Sequence, residues 1–240
     1  MPAPVNVKLE DPTISVPDWS TQAAGWATLN QEVGGNPDFY PLTVKAAYAI
    51  GVIHDICTSV TCLLQCRELL PATYLPAYGV CASGIEILGR CILGVADTRR
   101  SDESLKTGFK WLHSSSYATI PDSHQLIRTN SGMYDIETLA YLRHFAAHGQ
   151  ATVNQRSAVH GLPGIDLEIL GHLPPLIASG LERWWNELQD SEELCNRLAE
   201  SNVIAFRTWP VFKMWRLFER DAQGRYRSIT DIFTEFNWGT

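Results

Sequence analysis

The sequence carries little positive charge for its length. Its 240 residues contain 19 lysines and arginines against 26 aspartates and glutamates, which gives a formal net charge of −7. Affinity for duplex nucleic acid comes mainly from lysine and arginine side chains at the phosphates. The charge balance therefore argues against an extended duplex-binding surface and leaves room only for a small, local phosphate site.

An export signal and a bilayer-spanning run are also missing. The N-terminus, MPAPVNVKLEDPTISVPDWS, has no basic segment followed by an apolar one, which a secretory signal requires. The most apolar stretch, VKAAYAIGVIHDICTSVTCLLQCRELL, is interrupted by charged and polar residues, so its uncharged runs are shorter than the ~20 residues of a spanning helix. We expect a cytoplasmic protein without a membrane partner, in which this stretch belongs to the core.

The six cysteines lack the spacing of a metal or redox motif. They stand at positions 57, 62, 66, 81, 91 and 195, and no two are separated by only two residues, as in zinc ribbons and thioredoxin-like sites. Cys62 and Cys66 share a helical face, but buried cysteines behave as small hydrophobic residues. We therefore expect reduced, structural thiols, which fit a cytoplasmic protein.

Prolines, glycines and aromatic residues divide the chain into three parts. Residues 1–41 are rich in helix breakers and are expected to form an irregular arm that packs onto the rest through its aromatic side chains. Residues 42–200 hold the helical patterns, and residues 201–240 form an aromatic-rich extension in which DAQG predicts a turn. No period of 20–50 residues recurs, which excludes a solenoid.

Apolar residues in the central part recur at intervals of three and four. This spacing predicts one helix over Thr43–Leu70 and a second over Ala77–Ala96, joined by a turn from Pro71 to Pro76. A shorter helix and a loop follow, and Asp135 is expected to cap the next helix. We predict an all-α fold, a bundle of four or five helices whose first two helices pack antiparallel.

Two more amphipathic stretches complete the central part. The first is expected to be kinked or broken at Pro174 and Pro175, and the second begins with Ser191 and two glutamates, which is typical of a capped helix. Within ERWWNEL, Trp184 and Trp185 cannot share one helical face, so we expect at least one of them in the core rather than in a partner-binding patch.

The segment LRHFAAHGQA, residues 142–151, places an arginine and two histidines within six positions of a predicted helix. At ~100° per residue, His144 and His148 lie on one stripe and Arg143 flanks the apolar face. The positions three and four away from Arg143 hold leucine and alanines, so no acidic residue of the same helix can pair with it. Its charge must be met from another element, and the small residues nearby allow a second helix or a ligand to approach closely.

An arginine followed by a polar residue, with a histidine near the end of the same late helix, resembles the signature of the HEPN family of all-α nucleotide-binding domains. The residues that carry the resemblance are Arg143, its polar follower His144, and His148. The two preceding helices, with GIEILGRCILG on the second, are similar to that family's scaffold. The resemblance covers roughly residues 42–200 and predicts a HEPN-like helical bundle.

The resemblance implies an endoribonuclease that cleaves single-stranded RNA without a metal or a cofactor, at a composite site across a homodimer. His148 would act as base or acid, Arg143 would bind the phosphate, and His144 would orient them or the substrate. Glu86 would support the site from the second helix, although an ordinary ion pair with Arg90 is the simpler interpretation. Such a protein acts as a toxin or a defence effector, and its partners would be RNA, a second copy and an antitoxin or regulatory protein.

Three other interpretations use the same residues. A histidine near a helix C-terminus favours the helix dipole, and Arg143 can form a structural ion pair with another helix. The domain can also be a catalytically inactive HEPN module that binds a nucleotide or a regulatory partner protein. Finally, His144 and His148 have the spacing of two metal ligands, which His160 or His172 would complete, but the glutamate of the metalloprotease pattern is missing.

Overall fold

The computed structural model describes residues 42–66, 73–95, 100–119, 126–129, 132–147, 167–201 and 219–235, together with Leu9, Ile165 and Leu217. Within these ranges the chain is mostly helical, which confirms the predicted class. The helices are α1 (Leu42–Leu64), α2 (Tyr74–Leu93), α3 (Ser101–Leu112), α4 (Ile136–Ala147), α5 (Leu167–Leu188), α6 (Glu192–Glu200) and α7 (Ile229–Glu235). The strands are β1 (Leu126–Thr129) and β2 (Gly132–Asp135).

The first two helices are where the sequence predicted them, with shifted ends. Helix α1 ends at Leu64 rather than at Leu70. Residues 67–72, which include the start of the predicted turn from Pro71 to Pro76, lie outside the described residues. Helix α2 begins at Tyr74, so Pro76 belongs to its first turn instead of breaking the chain. Proline is tolerated there because the N–H groups of a first helical turn have no partner within the helix.

A glycine ends helix α2 three residues before its predicted end at Ala96. Gly94 has a φ of +68°, which favours glycine, and the N–H groups of Gly94 and Val95 both donate to the carbonyl of Arg90. This hydrogen-bonding pattern closes the helix, so the apolar spacing that continues through Val95 does not extend it.

Helix α1 has a composition that also occurs in membrane-spanning helices. Over Lys45–Leu64 it is long and apolar enough to cross a bilayer, as core helices of soluble proteins also are. One side of it is buried, including Ile50, Ile53 and Val60. The expected absence of a membrane partner stays a prediction.

A short hairpin precedes α4 where the sequence predicted only a loop. Strands β1 and β2 pair antiparallel, with Leu126 opposite Asp135 and Thr129 opposite Gly132. Two residues separate the strands in the sequence, which is the loop length of the tightest β-hairpins. The sequence interpretation did not use this signal. Asp135 then caps α4 as predicted, because its Oδ1 accepts the N–H of Thr138 at 2.6 Å.

Helix α5 runs unbroken through Pro174 and Pro175, so of the two predicted outcomes the break is wrong and the kink stays a prediction. The apolar side of the helix is fully buried, and this packing outweighs the loss of helical hydrogen bonds at two prolines. Helix α6 is capped as predicted, since Ser191 Oγ accepts the N–H of Leu194 at 3.2 Å.

The described residues form two compact units. One contains residues 42–52, 90–95, 181–201 and 219–235, and the other contains residues 53–66, 73–89, 100–119, 126–129, 132–147 and 167–180. Helices α1, α2 and α5 contribute residues to both. The predicted boundaries at residues 41 and 200 stay predictions, and the predicted arm lies outside the described residues except for Leu9.

The first unit is built on two buried tryptophans of α5. Trp184 and Trp185 are both fully buried, so neither belongs to a partner-binding patch. The Trp185 ring stacks on Tyr226 with centroids 5.7 Å apart, and its Nε1 donates to the carbonyl of Arg227. The DAQG turn is confirmed, because it connects Arg220 and Tyr226, which pair as an isolated antiparallel bridge.

The second unit depends on two glycines that bring the backbones of α2 and α3 together. A Cβ atom at Gly89 would lie 1.7 Å from the carbonyl oxygen of Ser104, and one at Gly108 would lie 2.2 Å from that of Ile85. Only glycine permits this approach. The Trp111 indole of α3 is fully buried and donates to the carbonyl of Gly180 on α5, at 2.8 Å.

Candidate functional site

Helix α4 carries the candidate motif and lies in the second unit. Of the apolar stripe predicted for this helix, Ile136, Leu139 and Leu142 are buried, and the fourth member, Ala146, is partly exposed. Tyr141 and His144 are exposed. The helix therefore has one side in the core and presents polar and aromatic groups on the other.

Close contact between α2 and α4 positions the motif. A Cβ atom at Gly79 would lie 2.8 Å from the Cβ of Ala146, so the helices meet through two small residues. About two turns away from this contact on α4, the carbonyl of Leu139 accepts a hydrogen bond of 2.5 Å from the buried hydroxyl of Tyr78. Burial raises the pKa of Tyr78, so this hydroxyl stays a donor over the physiological pH range. The expected approach of a second helix to the small residues is confirmed for Ala146.

The charge of Arg143 is met by Glu86. Arg143 Nη2 donates to Glu86 Oε2 at 2.5 Å, across the contact between α4 and α2. The carboxylate side chain is 9% exposed, whereas the guanidinium side chain is 28% exposed. The predicted partner from another element is thus identified, and it is the acidic residue of the second helix. The simpler sequence interpretation, an ion pair between this glutamate and Arg90, stays a prediction.

This geometry fixes the guanidinium and leaves part of it accessible. A buried carboxylate has a strong need for its counter-charge, because a lone buried charge is costly. Arginine has five N–H donors in a planar fork, and the contact with Glu86 uses a donor of Nη2. Donors on the accessible edge remain for a ligand oxygen, and a planar fork suits the oxygens of a phosphate.

The structure describes the first of the motif's two histidines and not the second. His144 is exposed, next to Arg143 in the chain, as the sequence predicted. His148 lies outside the described residues, directly after Ala147, where the described part of α4 ends. Of the four predicted site residues, Glu86 and Arg143 are in direct contact, and His144 follows Arg143 on α4 with an exposed side chain.

Two further residues on α3 and α4 were not considered by the sequence interpretation. Tyr141 is 44% exposed and lies on the same helix, three residues before His144. Lys106 of α3 contacts Glu137 of α4 at 2.5 Å and Asp102 of its own helix at 3.0 Å. The hydrogen bond to Glu137 raises the pKa of Lys106, so this lysine stays charged and holds α3 to the start of α4. Neither residue belongs to a sequence motif. The only signal for them in the sequence is a polar position on an amphipathic helix.

In the part of the chain that is described, the metal interpretation lacks further ligands beside His144. His172 lies on α5 with 58% of its side chain exposed, 4.0 Å from Glu168, and His160 is outside the described residues. Among the described residues, no group of three or more His, Cys, Asp or Glu side chains is placed to hold a metal ion.

The chemistry available at the motif is that of a fixed guanidinium beside an exposed imidazole. The guanidinium can bind an anion, and an imidazole can accept or donate a proton near neutral pH. Comparisons of the chain with models of protein families, with curated proteins and with solved structures found no match.

Proposed function

We propose that this protein is a HEPN-type endoribonuclease that cleaves single-stranded RNA without a metal or a cofactor. The observation that carries the proposal is the ion pair between Arg143 and Glu86 across two helices. The pair holds a partly exposed guanidinium at a defined place, beside an exposed histidine. A cation held in advance costs no reorganisation when charge develops on a phosphate, and this is the main source of catalysis for such reactions.

The proposed reaction uses the 2′-hydroxyl of the RNA as its nucleophile. The 2′-oxygen attacks the adjacent phosphorus while His148 takes its proton, the bond to the 5′-oxygen breaks, and the leaving oxygen takes up a proton. The products are a 2′,3′-cyclic phosphate and a 5′-hydroxyl end. Arg143 binds the phosphate oxygens and stabilises their negative charge in the transition state, and His144 orients the substrate or the reacting groups.

A second copy of the chain supplies the other half of the site in this proposal. One copy of the motif offers a single arginine and a single histidine pair, whereas cleavage in the resembled family draws on two copies that face each other. A symmetric homodimer brings two equal motifs face to face, which is the commonest geometry of small oligomers. We also propose that the enzyme acts in the cytoplasm as a toxin or defence effector, restrained by an antitoxin or regulatory protein.

The direct test is RNA cleavage by the purified protein in a metal chelator. We expect single-stranded RNA to be cut, and the 3′ ends of the products to carry a cyclic phosphate that mass spectrometry identifies. Cleavage that requires an added divalent metal, or products with a 3′-hydroxyl, would contradict the mechanism.

A second candidate function is a catalytically inactive HEPN module that binds a nucleotide or a regulatory protein. It is favoured by the net charge of −7, which weakens attraction for a long polyanion. In the same assay this module would bind a labelled mononucleotide or short RNA and leave the RNA intact.

A further inference from the structure

A small cavity in the first unit has a lining of polar side chains and one aromatic ring. Its volume is about 440 Å³, within the ~300–1,000 Å³ of small-molecule sites. Three arginines, three acidic residues, Asn186, Ser228 and Tyr226 line it, and none of these residues is aliphatic. Such a lining suits a charged ligand, because polar groups lose water less readily to an apolar one.

The guanidinium of Arg220 is fixed at this cavity by a stack of three groups. Its Cζ lies 4.4 Å from the centroid of the Tyr226 ring, and that ring stacks on the buried indole of Trp185. The guanidinium also donates to the carbonyl of Gly224 at 2.6 Å and to the hydroxyl of Tyr226 at 3.2 Å. Arg220 is nevertheless exposed. Because the ring covers one face of the guanidinium, the opposite face is turned to the solvent.

Arg225 brings a second guanidinium to the cavity. Its Nη2 donates to Asp190 Oδ2 at 3.0 Å, and its side chain is 51% exposed. This contact uses one of the five N–H donors of an arginine, so the others can bind the oxygens of an anion. Arg227 adds a third guanidinium, 17% exposed, which Glu219 holds at 3.0 Å.

The carboxylates of the lining restrict which anions can bind. Glu219 pairs with Arg227, and Asp221 Oδ1 accepts the backbone N–H groups of Gln223 and Arg225 at 2.9 and 2.8 Å. The lining holds as many acidic residues as arginines, so it has no surplus positive charge to attract a long polyanion. An anion therefore gains affinity only by direct contact with the guanidinium groups, and this favours a small ligand.

We propose that this cavity binds a small molecule that carries a planar ring and a phosphate group. The ring stacks on the open face of Arg220, and the phosphate accepts hydrogen bonds from Arg225. Guanidinium groups stack on aromatic planes, and their fork matches the oxygens of a phosphate. A phosphate monoester carries a charge of about −1.5 to −2 at pH 7, so it gains more from several guanidinium groups than a carboxylate does.

The site is independent of the proposed nuclease chemistry. It lies in the first unit and uses no residue of the Arg143 motif, which lies in the second. Loss or absence of RNA cleavage would therefore leave this proposal standing.

The test is isothermal titration calorimetry of the full-length protein with phenyl phosphate, inorganic phosphate and benzoate. We expect one phenyl phosphate per chain, bound ~2- to 30-fold more tightly than inorganic phosphate because the ring contacts a guanidinium. Benzoate has the ring but a single negative charge, and it should bind more weakly than phenyl phosphate. Equal affinity for benzoate and phenyl phosphate, or no binding of phenyl phosphate at millimolar concentration, would contradict the proposal.

Two variants separate the contact of the ring from that of the phosphate. Arg220→Lys keeps the charge but loses the planar group, so phenyl phosphate should bind no better than inorganic phosphate. Arg225→Gln removes the charged donors and should weaken both ligands ~10-fold or more. Arg100→Gln is the matched control, because Arg100 is also 51% exposed and also forms an ion pair with an acidic residue. It should bind like the parent.

Three results would overturn the site. They are unchanged affinity for phenyl phosphate in Arg225→Gln, an equal loss in Arg100→Gln, and loss of binding in Arg143→Ala, which would place the anion at the motif of the second unit. Arg220 holds the turn through Gly224, so far-UV circular dichroism of each variant separates loss of the site from loss of the fold. Arg225→Gln removes only an exposed ion pair, which contributes little to stability, and it decides the question if Arg220→Lys does not fold.

Discussion

Arg143 on α4 and Glu86 on α2 are 57 residues apart in the chain and form an ion pair with 2.5 Å between Nη2 and Oε2. The carboxylate is nearly inaccessible, and the guanidinium is partly open. This asymmetry means that the glutamate serves to hold the arginine in place, while the arginine can still meet a ligand.

The pair predicts a specific pattern of stability. Arg143→Ala removes the Arg143 counter-charge from the buried Glu86 carboxylate and is expected to lower the free energy of unfolding by ~1–3 kcal/mol. The double variant Arg143→Ala/Glu86→Gln removes that charge and should recover part of the loss. Urea unfolding of the single and double variants measures the coupling between the two side chains. Strictly additive effects would show that the contact contributes nothing.

The nuclease proposal predicts that His148→Ala abolishes cleavage while the fold is retained. General acid or base assistance contributes ~10²- to 10⁴-fold to such a reaction, so the loss should be plain on a gel. His144→Ala should have a milder effect, because that residue orients rather than transfers the proton. If His148→Ala cuts RNA as fast as the parent protein, the nuclease mechanism fails and the binding-module function takes its place.

The composite site predicts a homodimer in solution. Sedimentation equilibrium at micromolar concentration should report twice the mass of one chain. A strictly monomeric protein that still cleaves RNA would rule out a site shared between two copies, whereas a monomer without activity would argue for the binding module.

Two Gly→Ala substitutions are predicted to have opposite effects, one where α2 and α3 approach closely and one at an exposed position of α5. At Gly89 the new methyl group would meet the carbonyl of Ser104, so Gly89→Ala is expected to cost ~3 kcal/mol or more, or to prevent folding. At Gly171, an exposed position of α5, nothing lies within 4 Å of the added Cβ. Gly171→Ala is therefore expected to stabilise the helix by ~0.5–1 kcal/mol. Thermal unfolding of the two variants checks both signs, and equal effects would contradict the packing.

The buried thiols predict a loss of stability in alkaline solution. Their pKa values in the folded protein are raised to about 12 for Cys57, Cys81 and Cys91, above the ~8.5 of a solvated thiol. Between these values the folded state holds more protons than the unfolded state, so the free energy of unfolding falls as the pH rises from about 8.5. Each buried thiol contributes a slope of up to ~1.4 kcal/mol per pH unit.

Denaturant midpoints measured from pH 7 to pH 10 test this slope. Cys81→Ala should reduce the slope by the share of one thiol, whatever its effect on stability at neutral pH. Cys62→Ala, at an exposed position, should leave the slope unchanged. An equal change of slope in both variants would show that burial does not separate the buried from the exposed cysteines.

The exposed cysteines, the hairpin and the unbroken α5 were decided by tertiary structure. Cys62 and Cys66 are exposed, so the expectation of buried, structural thiols is wrong for this pair. Sequence spacing places Cys62 on a helical face, but burial depends on which elements pack there, and that is not a local property. Pro174 predicts a break because it removes a helical hydrogen bond, yet the core contacts along α5 outweigh this cost. Likewise, the pairing of Glu86 with Arg143 follows from the contact between Gly79 and Ala146, which brings α2 and α4 together.

What the sequence determined by itself is mainly local. Apolar residues that recur at intervals of three and four predict helices, because a helix has 3.6 residues per turn and this spacing places the residues on one side. Asp135 and Ser191 mark helix starts, because their side chains accept N–H groups of the first turn. The absence of an acidic neighbour on α4 also determined that Arg143 needs a partner from elsewhere. Which residue answers that need was decided only by tertiary packing, because an ion pair across 57 residues depends on how two helices cross and not on the spacing within either of them.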